Sequence, residues 1–301
     1  MGKNIKRMKT GLVRVKNRLL TIPAVQLIVR TADGAGKHDA SQRAAGVAYY
    51  VFLSIFPLLL GLIALFGYFL PSLDLQETML NFVGENVPGA VNIIEQNITG
   101  IIESRGSMGL LSIVIFIWGA SAMFGALSLA INRAWEVPRY RPFFIRKGSE
   151  LGMVFGIGII VLLSISSSAV ISILHGVFHL PVTGLLIVNI CSKVLGFLLM
   201  VIVFVILYKY LPYTKTHWRT IWPGALLASI LFEIARTLFI YYIENFASYQ
   251  LIYGSIASII VLLVWIYYSS FVTVLGAEFT FQYGRMRYSV TTDNGADNKR
   301  G

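Results

Sequence analysis

Apolar residues fall along this chain in long unbroken runs rather than in the alternation of a half-buried strand. Residues 44–70 and 106–131 contain no Asp, Glu, Lys or Arg, and comparable runs occupy 151–174, 185–208, 220–243 and 254–281. A helix of about 20 apolar residues, rising about 1.5 Å per residue, crosses a hydrocarbon layer of about 30 Å. Backbone N–H and C=O groups in lipid must bond internally, and the runs lack the in-and-out period of a barrel strand. The predicted fold is therefore all-α, a polytopic membrane bundle of six transmembrane helices covering residues 44–284.

Between the runs the polar residues sort by sign. Residues 1–43 hold ten Lys and Arg, the segment after the second run holds five (Arg133, Arg139, Arg141, Arg146, Lys147), that after the fourth three, and the tail 285–301 four. The intervening loops hold only Arg105. Basic residues are retained on the cytoplasmic side, so this alternation predicts both termini in the cytoplasm. Tyr and Trp gather at the run ends, including Trp135, Trp218, Trp222 and Tyr241, as interfacial belts do.

Two segments outside the runs have helical periodicity. Leu12, Val15, Leu19, Ile22 and Leu27, interleaved with Arg14, Lys16 and Arg18, predict a basic amphipathic helix over 11–30, interrupted near Pro23. Its expected partner is the anionic inner leaflet, and a disordered basic tether is the alternative. The outer loop 71–107 carries acidic residues and two apolar stripes, predicting two short amphipathic helices on the outer face. Residues 292–301 are polar and are expected to be disordered.

Ionisable groups inside the runs cost several kcal/mol unless paired, which makes them candidate functional residues. Lys193 and Glu233 lie at similar depths below the outer ends of their runs. Arg236 follows Glu233 by one helical turn, and Asn189 precedes Lys193 by one. These four are the candidate substrate pathway, carrying one net positive charge when all are ionised and suited to an anion. A closed ion-pair network is the competing expectation. Glu278 falls near the inner boundary and reads as an interfacial carboxylate that could pair with Arg43, Arg133 or Arg285 as a cytoplasmic gate. Pro57 breaks the amide ladder of the first run and is the hinge candidate. Gly148, Gly152 and Gly156, then Ser164, Ser168 and Ser172, repeat every fourth residue and predict close helix packing, as do Ala122, Ala126 and Ala130.

A hydrophobic fraction of 56% against 13% charged excludes a water-soluble enzyme. Of the 25 Lys and Arg behind the net charge of +11, 22 fall in the segments assigned to the cytoplasm, so nucleic-acid binding is not required to explain it. One cysteine, Cys191, permits no internal disulfide or multi-thiolate metal site. His175 and His179 have ligand spacing but straddle an outer turn without a nearby carboxylate. No Walker loop, dinucleotide fingerprint or nucleophile elbow is present. No metal, no cofactor and no catalytic residue is expected.

Several runs together carry a likeness. Residues 43–57 (RAAGVAYYVFLSIFP), 118–121 (WGAS), 132–135 (NRAW), 211–213 (LPY), 222–225 (WPGA), 253–255 (YGS), 262–267 (LLVWIY) and 276–278 (GAE) resemble the YihY/BrkB family of bacterial inner-membrane proteins. The resemblance covers about residues 38–284 and implies a multi-pass protein of the inner membrane. Some members of that family carry the name ribonuclease BN, others a virulence or serum-resistance label, and movement of lipid or lipopolysaccharide precursors is suggested for parts of it. The ribonuclease name finds no carboxylate cluster or histidine pair here to support it. Three functions follow as expectations: a transporter or flippase-like carrier of an anionic lipid or related solute, a non-transporting envelope scaffold, and a cation/proton exchanger using Glu233.

Overall fold

The computed structural model describes residues 22–69, 109–137, 141–178, 182–246 and 256–297, with side chains over 22–54, 117–137, 141–160, 193–243, 257 and 259–287. Seven helices run through them: α1 (Pro23–Lys37), α2 (Ala40–Phe69), α3 (Gly109–Ala134), α4 (Phe143–Phe178), α5 (Val182–Tyr210), α6 (Trp218–Phe246) and α7 (Ile256–Asp297). Every described element is helical, as the unbroken apolar runs predict. Three described stretches are long and apolar enough to cross a membrane: Lys193–Tyr210, Trp218–Ile243 and Ile259–Arg287. The amphipathic stripes expected over 71–107 lie outside the described residues.

Each helix from α2 to α7 packs on its neighbours in sequence, and α7 closes the bundle by touching α1, α2, α3, α5 and α6. Small residues make these approaches close. Ala120, Ala130 and Ala134 of α3, Ala225 and Ala228 of α6 and Ala277 of α7 are all buried. With no aqueous surface to hide, helix association in lipid draws on such close van der Waals contact. Aromatic rings fill the next layer, where Trp265 of α7 stacks on Phe239 at 5.2 Å and Phe232 at 5.5 Å, and Phe232 meets Phe204 of α5 at 6.2 Å.

The first described helix begins at Pro23, the point near which an interruption is expected. Proline has no amide hydrogen to lose at a helix start, and its fixed φ suits that position. Residues 11–21 of the expected amphipathic helix lie outside the described residues. The tail is helical to Asp297, because α7 spans 42 residues without a proline and continues well past the apolar run. α4 likewise starts at Phe143, a full two turns before residue 151. Residues 55–69, including Pro57, continue α2 as one helix, but side-chain detail there lies outside the described residues. Finally, a Cβ added at Gly148, Gly152 or Gly156 would meet nothing within 4 Å. This row faces open space instead of a neighbouring helix.

Candidate functional site

The most unusual polar group in the bundle is Glu278. It is 1% exposed on α7, and burying a carboxylate costs several kcal/mol unless each oxygen is satisfied. Both oxygens are. Oε2 faces His38 Nδ1 at 2.8 Å, and Oε1 accepts from Gln282 Nε2, one turn along α7, at 2.8 Å. Gly34 of α1 makes room, since a Cβ there would collide with Oε1. The opposite nitrogen of the same imidazole, Nε2, lies 3.5 Å from Oε1 of Glu136, which is half exposed. Arg285 Nη1 reaches that oxygen at 3.4 Å, and Arg43 Nε donates to the His38 carbonyl at 3.0 Å.

Local backbone chemistry puts these groups together. α3 ends in a Schellman pair of bonds, Glu136 N to Arg133 O at 3.1 Å and Val137 N to Asn132 O at 3.1 Å. Glu136 occupies the left-handed position, φ 52°, that glycine normally takes. Asp39, directly after His38, has φ 53° and turns the chain from α1 into α2. Left-handed backbone costs an L-residue roughly 1–2 kcal/mol. Both strained non-glycine residues found among the described positions therefore flank His38 or contact it. Strain concentrated in this way marks a site whose geometry the surroundings enforce.

A second polar assembly lies where the 211–213 loop meets α3. Asn132 Oδ1 accepts from Tyr213 N at 2.6 Å, while its Nδ2 donates to Leu211 O at 3.2 Å and Ser128 O at 2.7 Å. Trp135 Nε1 donates to Ala277 O at 3.1 Å, so the segment 132–135 joins the loop after α5 to α7. Next to it, Glu150 of α4 is 5% exposed and holds Lys147 Nζ at 2.7 Å and Ser121 Oγ at 2.8 Å. Arg141 Nη2 donates to Pro212 O at 3.1 Å and its guanidinium covers the Tyr213 ring. A void lined by Arg146, Ser149, Glu150 and Tyr213 has room for about one water, and Arg146 Nε and Tyr213 Oη have no hydrogen-bond partner among the described residues.

The predicted site residues divide. Glu278 is buried within the protein, and among the described residues its partners are His38 and Gln282 rather than Arg43, Arg133 or Arg285. Arg43 joins the network through the His38 carbonyl and Arg285 one step further through Glu136, and Arg133 is an exposed residue of the last turn of α3. Glu233 and Arg236 pair at 2.6 Å on α6, each partly exposed. Lys193 is exposed and makes no polar contact with them among the described residues; the side chain of Asn189 lies outside those residues. His38, Glu136 and Glu150 are not among the residues that sequence reasoning singles out, because it weighs histidine only as a metal ligand and carboxylates only inside the apolar runs. The usable signal is the buried carboxylate's need for a cation or donor from the segment preceding the first run.

An imidazole with a carboxylate at each nitrogen can take a proton on one side and release one on the other. Because the two carboxylates occupy different ring nitrogens, the trio does not converge on a common point. Among the described residues no group of three His, Cys, Asp or Glu could hold a metal ion.

An all-helical bundle with membrane-length apolar helices and polar networks tied to its last helix defines a membrane protein. The family model for the virulence factor BrkB matches residues 31–300, and the chain belongs to that family. It is 33% identical over 262 residues to a UPF0761 membrane protein of Photobacterium profundum, covering 83% of this chain and 79% of that one. It is 30% identical over 260 residues to YfkH of Bacillus subtilis, named as ribonuclease-like, covering 80% and 89%. A UPF0761 membrane protein of Pseudoalteromonas translucida is 31% identical, with 78% of each chain covered. No solved structure matches the chain.

Proposed function

We propose that this protein is a six-span carrier of the bacterial inner membrane, with both termini in the cytoplasm, that moves an anionic lipid or a related anionic solute. Its basic leader rests against anionic lipids of the inner leaflet. The supporting observation is the register of Arg236. It follows Phe232 by four residues and precedes Phe239 by three, so it shares the helix face on which those rings stack against Trp265. Yet 29% of its side chain is exposed, beside a Glu233 that is 41% exposed. Lys193 stands about three turns before Phe204 on the inward stripe of α5 and is exposed too. Two exposed cations, one on α5 and one on α6, with Glu233 beside Arg236, suit a negatively charged group entering between α5 and α6. The residues of this way station are Lys193, Glu233 and Arg236, with Asn189 one turn from Lys193.

The test is transbilayer movement of fluorescent phospholipids in proteoliposomes. The parent is expected to move an anionic lipid above the protein-free background. Arg236→Ala and Lys193→Ala should each slow it about tenfold, the equivalent of about 1.4 kcal/mol, while Glu233→Ala should retain or raise it. Background-level movement by the parent overturns the carrier. An odd number of crossings in a tag-accessibility map overturns the topology.

A further inference from the structure

The first turn of α4 combines features that neither the polar networks nor the proposed carrier explains. Phe143, Phe144 and Ile145 are 58%, 85% and 59% exposed, and Phe144 is the most exposed large hydrophobic side chain among the described residues. Exposed aromatic side chains on a flexible end would need no account. These are fixed. Arg141, just before them, is tied to Pro212 O and lies over the Tyr213 ring 5.1 Å from its centroid. Just after them, Lys147 is held by buried Glu150, whose own position is set by Ser121 of α3. Phe143 packs edge-to-face on Phe144 at 5.6 Å, with the Arg146 guanidinium 5.7 Å from its ring centroid.

From these observations we infer that residues 141–147 form a rigid interfacial anchor that inserts its two phenylalanines and Ile145 among lipid acyl chains and presents its cations to anionic phospholipid headgroups. Continuity supports a lipid surface. Phe144 shares one helical stripe with Phe155 and Ile159, 63% and 56% exposed, so its apolar face runs unbroken into the outward face of the membrane-length part of α4. Charge supports the anionic choice. Arg141, Arg146 and Lys147 surround the wedge against Glu150 alone, leaving an excess of two positive charges at the headgroup level. A second copy of this chain is the other conceivable occupant, because Gly148 and Gly152 adjoin the same stripe. Phe144, Phe155 and Ile159 stand among those glycines, however, and would hold a partner helix off the glycine backbone.

The anchor requires only the entry of α4 into a bilayer and not the movement of lipid, so it and the carrier fail separately. The full-length chain, with Cys191→Ser, is labelled with an environment-sensitive fluorophore at Phe144→Cys, at Ile145→Cys or, as a polar reference, at Lys215→Cys. Each is placed in bilayers of phosphatidylcholine alone or of equal parts phosphatidylcholine and phosphatidylglycerol. Nitroxides carried on the lipid near the headgroup should quench positions 144 and 145, and aqueous iodide should quench them about fivefold less than position 215. The blue shift at 144 should grow with phosphatidylglycerol and lose that gain in high salt, where surface charge is screened. Iodide access equal to that at 215 overturns the anchor. Protection from both quenchers means that protein covers the patch and overturns it as well. Equal signals in the two bilayers overturn the preference for anionic lipid.

Discussion

Two sets of glycines in this molecule have opposite surroundings. Along α7 and the helices touching it, Gly34, Gly224 and Gly276 are positions where any Cβ would strike Glu278, Thr280 or Tyr208. On α4, Gly148, Gly152 and Gly156 repeat with the spacing that permits close helix contact, yet a Cβ added there would meet nothing within 4 Å among the described residues. Identical composition thus serves two ends. In the first region it lets backbones and polar side chains interlock; in the second it lies open between exposed apolar side chains. Small-residue spacing alone does not say which, because it describes one helix, whereas packing depends on what the opposite helix presents.

The comparison can be broken by substitution, with folding measured by chemical or thermal unfolding of the detergent-solubilised protein. Glu278→Ala has the largest expected effect. It leaves His38 and Gln282 without their shared acceptor beside a cavity, and each buried hydrogen bond to a charged group is worth about 1.5–3 kcal/mol. Gly276→Ala should follow at about 1–3 kcal/mol, as overpacking against Tyr208 and Ala228 forces the helices apart. Asn132→Ala leaves Tyr213 N without its acceptor, while Leu211 O keeps the Ser128 hydroxyl, and should cost about 1–3 kcal/mol. Gly152→Ala should change stability by less than about 1 kcal/mol and in the stabilising direction, since its backbone is helical and its surroundings are open. A loss at Gly152 as large as that at Gly276 would erase the distinction between the two regions.

What was legible in the sequence followed from the cost of lipid. Uninterrupted apolarity predicts helices because an unpaired peptide group in hydrocarbon is prohibitive, and α2 to α7 each overlap one of those runs. Their ends were not legible. α4 begins two turns early because Arg141 and Glu150 tie its first residues to the 211–213 loop and to α3, contacts between segments far apart in the chain. The candidate site shows the same division. Glu278 stands out as an acid at the edge of an apolar run, but its partner His38 lies 240 positions away. Counting Lys and Arg passes over a histidine. Helical spacing pairs Glu233 with Arg236 and they do pair, since that contact is local. The link from them to Lys193 needed the relative placement of two helices, which periodicity does not encode.

The helix that touches α1, α2, α3, α5 and α6 follows all five of them in the chain. A ribosome delivers the other helices before the surface they share exists, so Trp135, Tyr208 and His38 wait for acceptors supplied only by residues 273–278. These contacts therefore wait for α7, and a chain halted before residue 256 would lack the partners that hold all three groups.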